Sequence, residues 1–161
     1  MPSQQPADLS KILAIVIPIK AFHQAKERLS DLLTPAERFI LAKLCAQRVL
    51  RASIGYEVFV VCDDQEVAEW ADTQNANIVW QTNIGLNNAV NDGITAVRSR
   101  NFDLAMIVHS DLLLATGFSH VLSDCEPQTL KTSITIVPDR HEDGTNVMIV
   151  PTAIDFEFAY G

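Results

Sequence analysis

Ile12-Leu13-Ala14-Ile15-Val16-Ile17-Pro18-Ile19 is the longest apolar run in the chain, and Lys20 follows it directly. Eight residues cannot span a bilayer. An unbroken apolar run closing on a proline reads instead as a strand buried on both faces, the pattern of a parallel sheet covered by helices on each side. The pattern predicts this strand over Lys11 to Ile19. Next comes Thr34-Pro35-Ala36-Glu37, with a capping threonine, a proline at the first helical position and a glutamate at the third. From there Phe39, Ile40, Leu41, Leu44, Cys45, Val49 and Leu50 recur at helical spacing to about Ser53, and Gly55 marks the stop.

The alternation continues outward. Strands are predicted at Tyr56 to Cys62, Asn77 to Trp80, Leu104 to Val108, Ser133 to Val137 and Asn146 to Val150. Helices are predicted from Asp63 or Asp64 to about Gln74, from Asn87 to about Arg98, and from Thr116 to Ser123. Strands alternating with helices imply a three-layer α/β/α sandwich with a mixed, mainly parallel sheet. The last two strands have no helix between them, so one member should run antiparallel.

At 161 residues and 17.8 kDa the chain fits a single domain, 1–161, and 48% apolar composition excludes intrinsic disorder. The polar leader Met1 to Ser10 lacks the basic start and apolar stretch of a signal peptide, so the expectation is a cytoplasmic protein. Cys45, Cys62 and Cys125 lie far apart without a C-x-x-C and read as free thiols. The four histidines show no zinc-ligand spacing. Charge is more informative. Residues 1–51 carry eight of the twelve basic side chains and four of the twenty acidic ones, +4 against -12 for the remainder. A net charge of -8 disfavours nucleic acid as a partner, which needs a broad basic face, whereas a compact anion needs only a local cluster.

In open α/β sheets ligands bind beyond the carboxyl ends of the strands. After the first strand stand Lys20, Lys26 and Arg28, in a connection with no glycine, so neither a dinucleotide fingerprint nor a phosphate loop is present. Three cations at one strand end could neutralise a polyphosphate through side chains, or belong to a solvated turn. After the third strand, Gly85 permits a tight turn, and Asn87 could cap a helix or present its amide to a base. After the fourth comes His109-Ser110-Asp111. A carboxylate there either meets a cation or a divalent metal shared with a triphosphate, or caps a turn. The loop Pro138 to Asn146 ends in Gly144-Thr145-Asn146, which offers a hydroxyl, an amide and backbone N–H groups to an anion, or forms a plain Asp-Gly turn.

Taken in order, P-I-K with A-K-E-R-L, L-T-P-A-E-R, G-L-N-N-A, S-D-L, P-D-R-H-E-D-G-T-N and F-E-F-A-Y-G resemble the phospholactate or phosphoenolpyruvate guanylyltransferases of coenzyme F-420 biosynthesis. The resemblance runs from about Ile17 to the last residue. It implies a GT-A-like nucleotidyltransferase fold, GTP as donor, and Mg2+ or Mn2+ as cofactor. It places Lys20, Lys26 and Arg28 at the triphosphate, Gly85, Leu86 and Asn87 on the guanine side, and Asp111 at the metal. Thr145, Asn146 and Gly161 would hold a phosphorylated three-carbon acid: 2-phospho-L-lactate, phosphoenolpyruvate or 3-phosphoglycerate. Members of the family continue past the final glycine, so the expectation is a domain without that C-terminal segment. A catalytically impaired nucleotide-binding fragment or scaffold is the alternative. A receiver-type signalling domain is disfavoured, because it needs an acidic pair where Lys20 stands.

Overall fold

A computed structural model describes residues 9–123 and 125–160. The apolar run forms β1 (Leu13–Pro18), and β1 is interior to the sheet. Around it stand β2 (Glu57–Cys62), β3 (Asn77–Trp80), β4 (Leu104–Val108), β5 (Thr135–Pro138) and β6 (Thr145–Pro151), in the spatial order β3-β2-β1-β4-β6-β5. The β1–β2, β1–β4 and β2–β3 pairs are parallel; β6 runs antiparallel to both β4 and β5. The expected antiparallel member is therefore β6.

Period-two alternation along β1 divides the core. Leu13, Ile15 and Ile17 enter one cluster with α1 (Pro35–Ala52) and α2 (Gln65–Thr73), while Ala14 and Val16 enter the other with α3 (Leu86–Ser99). Each of the larger side chains contributes roughly 1.5–3 kcal/mol by leaving water. Parallel crossovers are right-handed. The chain moves outward from β1 to β3 by α1 and α2 on one face, then returns to β4 by α3 on the other. The order of strands thus reverses between β1 and β4, and a crevice opens beyond their carboxyl ends.

The opening of α1 follows its sequence. Thr34 Oγ1 accepts from the Glu37 N–H at 3.3 Å, and the Glu37 carboxylate accepts from the Thr34 N–H at 2.8 Å. Its buried stripe differs from the one the large apolar residues suggested. Ala42, Cys45, Ala46, Val49 and Leu50 face the sheet, whereas Ile40 and Leu44 are exposed, because small residues let the helix lie closer. Other differences are at boundaries. Leu9–Lys11 is a 3-10 turn ahead of β1, α3 begins one residue earlier than Asn87, and the short helix predicted from Thr116 is α4 (Ser119–Ser123). A further single turn, α5 (Pro127–Leu130), had no periodic signal to announce it. Among the described residues no helix is long and apolar enough to cross a membrane.

Close approach of α3 to the sheet requires Gly93. A Cβ there would lie 2.4 Å from Val16 Cγ1 and 3.0 Å from Val61 Cγ2. Helix propensity alone favours alanine by about 1 kcal/mol, but overpacking against two β-branched side chains costs roughly 1–3 kcal/mol. Gly93→Ala is expected to lower the melting temperature by several degrees, on the scale of about 2–4 °C per kcal/mol for a domain of this size. An unchanged or raised midpoint in a thermal melt would show that α3 can lift from β1 without cost.

Candidate functional site

Beyond the ends of β1 to β4 lies a cleft of about 810 Å³, and its walls include Lys20, Lys26, Arg28, Gly85, Leu86, His109, Ser110 and Asp111. Six of the residues singled out from sequence therefore meet around one space: the three cations, Gly85, Leu86 and Asp111.

The cationic wall is the connection from β1 to α1. It is anchored by Phe22, whose buried ring meets Phe39 and Trp70 edge-on at 5.7 and 5.2 Å. Two 3-10 turns, Phe22–Gln24 and Glu27–Leu29, fold the connection back over the sheet. Between them Lys26 takes a left-handed conformation, φ 58° and ψ 33°. That conformation costs a non-glycine residue roughly 1–2 kcal/mol. It accompanies an ion pair of Lys26 Nζ with Asp111 Oδ2 at 3.2 Å, across the point where strand order reverses. The lysine side chain is 22% exposed and the carboxylate 57%, so the pair is solvent-screened and adds little stability.

On the opposite side, the turn after β3 is held from within. The Gln81 side-chain amide donates to the carbonyls of Asn83 and Gly85, and the Asp92 carboxylate accepts from the Thr82 N–H at 2.8 Å. Gly85 caps α3 at φ 113°, a backbone conformation that side-chain-bearing residues rarely adopt. Asn87 has a role sequence reading did not supply. Its Oδ1 accepts the Tyr160 N–H at 2.9 Å, tying the segment after β6 to the first turn of α3. Tyr160 then stacks on Phe158 and meets His109 edge-on at 5.6 Å. Burial pushes the His109 imidazole below its ordinary pKa, against a weaker opposing pull from Asp111, so it stays neutral near pH 7.

Thr145 and Asn146 begin β6, and the Asn146 carbonyl accepts the His109 N–H at 3.3 Å. They stand one strand beyond Asp111, next to the cleft and not among the residues that line it. The loop before them is organised on Asp139. Its carboxylate accepts from the N–H groups of His141 and Asp143 at 2.8 and 3.2 Å, and these bonds hold its pKa below the usual range. Gly161 lies outside the described residues. Asp63 and Gln81 also line the cleft and were missed; each is a single polar residue after a strand, with no motif to mark it.

A cleft of this kind, cationic on one wall and placed at the switch point of a mainly parallel sheet, belongs with the nucleotidyltransferases in fold. A nucleotide-diphospho-sugar transferase from Desulfovibrio desulfuricans superimposes with a TM-score of 0.67 at 13% identity, covering 87% of this chain and 63% of that one. A cytidylyltransferase from Leptospira borgpetersenii gives 0.52 at 11% identity, covering 88% and 61%. The fold is the GT-A-like nucleotidyltransferase fold. Sequence comparison goes further, since residues 13–161 match the family described as "Guanylyl transferase CofC like". The chain is 32% identical over 153 residues to a phosphoenolpyruvate guanylyltransferase from Sphaerobacter thermophilus, spanning 91% of this chain and 72% of that protein. It is 30% identical over 139 residues to a 2-phospho-L-lactate guanylyltransferase from Methanocaldococcus infernus, spanning 86% and 61%. The chain belongs to the CofC-like guanylyl transferase family, and is a nucleotidyltransferase.

Removing the Asn87 side chain leaves the part-buried Tyr160 N–H without its acceptor. The expected cost is about 1–3 kcal/mol. Asn87→Ala should lower the melting temperature and speed chymotryptic cutting at Phe156, Phe158 and Tyr160. Parent-like digestion would show that the segment is held by its rings alone.

Proposed function

We propose that this protein transfers GMP from GTP to a phosphorylated three-carbon acid and releases pyrophosphate, as a step of coenzyme F-420 biosynthesis. The observation that carries the reading is the convergence of Lys20, Lys26 and Arg28 with Asp111 in one cleft. The names of its relatives add the acid, which is phosphoenolpyruvate for some and 2-phospho-L-lactate for others.

In this reading a phosphate oxygen of the acid attacks the α-phosphorus of GTP. The bond from the α-phosphorus to the bridging oxygen breaks, and pyrophosphate leaves with that oxygen. A phosphate monoester has a second pKa near ~6 and is mostly dianionic at neutral pH, so no side chain has to take a proton from it. Alignment and charge neutralisation are the remaining requirements, and the three cations meet both by holding the triphosphate against the strand ends. Thr145, Asn146 and Gly161 are assigned to the acid, with Asn146 adjacent to His109 through the sheet register.

The donor set suits a hard divalent cation arriving with the nucleotide. Such an ion takes one or two carboxylates together with substrate phosphate oxygens. Asp111 is an exposed carboxylate beside the phosphate-facing cations, and among the described residues no three His, Cys, Asp or Glu side chains gather at one place. Asp111 would hold the ion, and Lys26 would turn from the carboxylate to the phosphates. When bound, Mg2+ or Mn2+ would neutralise charge developing on the triphosphate.

Two substitutions test the cation and the carboxylate in turn. Lys26→Gly removes the cation and relieves the left-handed residue, so GTP affinity measured by calorimetry should fall about tenfold or more while the melting temperature holds or rises. Asp111→Asn should lower turnover by orders of magnitude with the fold intact. Pyrophosphate release from GTP with each candidate acid is the direct test. Binding of GTP without release, under any acid or divalent ion, would favour a nucleotide-binding scaffold; equal affinity for GTP and ATP would remove guanylyl specificity.

A further inference from the structure

We infer that Asp63 determines the base specificity of the cleft, accepting the N1–H and the 2-amino group of guanine. The inference rests on the cleft being a nucleotide site, as proposed above, and adds which side chain reads the base.

Position comes first. Along the cleft the strand ends follow the sheet order: the Gln81–Gly85 turn after β3, Asp63 after β2, the Lys20–Arg28 connection after β1, and Asp111 after β4. Hydrogen bonds of 2.9 Å from Ile19 N–H to the Val61 carbonyl and from Gln81 N–H to the Cys62 carbonyl fasten the end of β2 to both neighbours. Asp63 therefore emerges between the cationic wall and the Gly85 turn. Three interstrand steps of about 4.8 Å separate β3 from β4, a span of roughly 14 Å. With the phosphates drawn to Lys26 and Arg28 toward the β1–β4 end, the base of an extended nucleotide lies at the β2–β3 end.

The second argument is elimination among the polar groups there. The Gln81 amide nitrogen is committed to two carbonyls of its own turn. Asp64 is committed to capping α2, accepting from the Val67 N–H at 3.0 Å. Asp63 lines the cleft and has no hydrogen-bond or ion-pair partner among the described residues. Ile84, 91% exposed, lines the same cleft and offers an apolar surface suited to the face of a ring. An ionised carboxylate only accepts. Guanine alone of the common bases presents two adjacent donors to it; adenine and cytosine each present an acceptor beside their amino group, which a carboxylate repels.

The test compares GTP, ITP, XTP and ATP by calorimetry and pyrophosphate release on the parent, Asp63→Asn and Asp63→Ala. The parent should prefer GTP over ITP, which lacks the 2-amino group, and over XTP, which replaces it with an oxygen. The side-chain amide in Asp63→Asn would present one acceptor and one donor, matching N1–H and the 2-oxygen of xanthine. That variant should thus weaken GTP and strengthen XTP, moving their ratio by about tenfold or more, while Asp63→Ala weakens GTP without gain for XTP. Variants that keep the parent's order of preference overturn the inference, as does an equal loss for all four nucleotides, which would place Asp63 at the phosphates or a metal. If the parent itself prefers GTP while the variants are unchanged, this inference alone falls. A parent that binds no nucleotide removes the proposed function and this inference together.

Discussion

The distance between α3 and the face of β1 and β2 governs the rest of the molecule, because α3 must cross both strands to carry the chain from β3 back to β4. Gly93 over Val16 and Val61 sets that distance. Were the helix lifted by one methyl group, its first turn would rise as well, and Gly85 and Leu86 would leave the cleft wall they share with the cationic connection. The same packing supports Asn87, through which the residues after β6 are attached. A clearance in the core is thereby transmitted to the cleft wall and to the segment after β6.

Charge adds a second constraint. The protein repels anions as a whole at -8, yet the cationic wall of its cleft is assembled from the one third of the chain that is positive. Lys26 is held in a conformation that costs energy, against a carboxylate from which a screened ion pair recovers little. An arrangement with so small a net return to stability is readily exchanged for contacts with a ligand. Phe22 provides the rigidity that makes the arrangement reproducible, since its ring is locked by Phe39 and Trp70 while the cations beside it remain at the surface.

Hydrophobic periodicity made the fold legible. Each of the six strands and the three long helices is an apolar run at strand or helix spacing, and one of the last two strands was expected to run antiparallel because no helix separates them. The cations, Gly85 and Asp111 were legible because each follows a strand, where the fold class places ligands. What stayed hidden depends on contacts between distant residues. Nothing local marks Asn87 as the acceptor for Tyr160, 73 positions away, or Lys26 as left-handed. The outward turn of Ile40 and Leu44 was hidden for another reason: residue type says how much area is available for burial, and only the neighbouring layer says which small residues let the helix approach.

The placement of β6 between β4 and β5 also orders events during synthesis. β5 is made first but touches the sheet only through β6, so it leaves the ribosome with both edges open and with Ile134 and Ile136 uncovered. At about 5–20 residues per second the wait for its partner is on the order of a second. Long enough for a nascent-chain chaperone to engage, that interval leaves the β5 segment open to misassembly until β6 pairs with it.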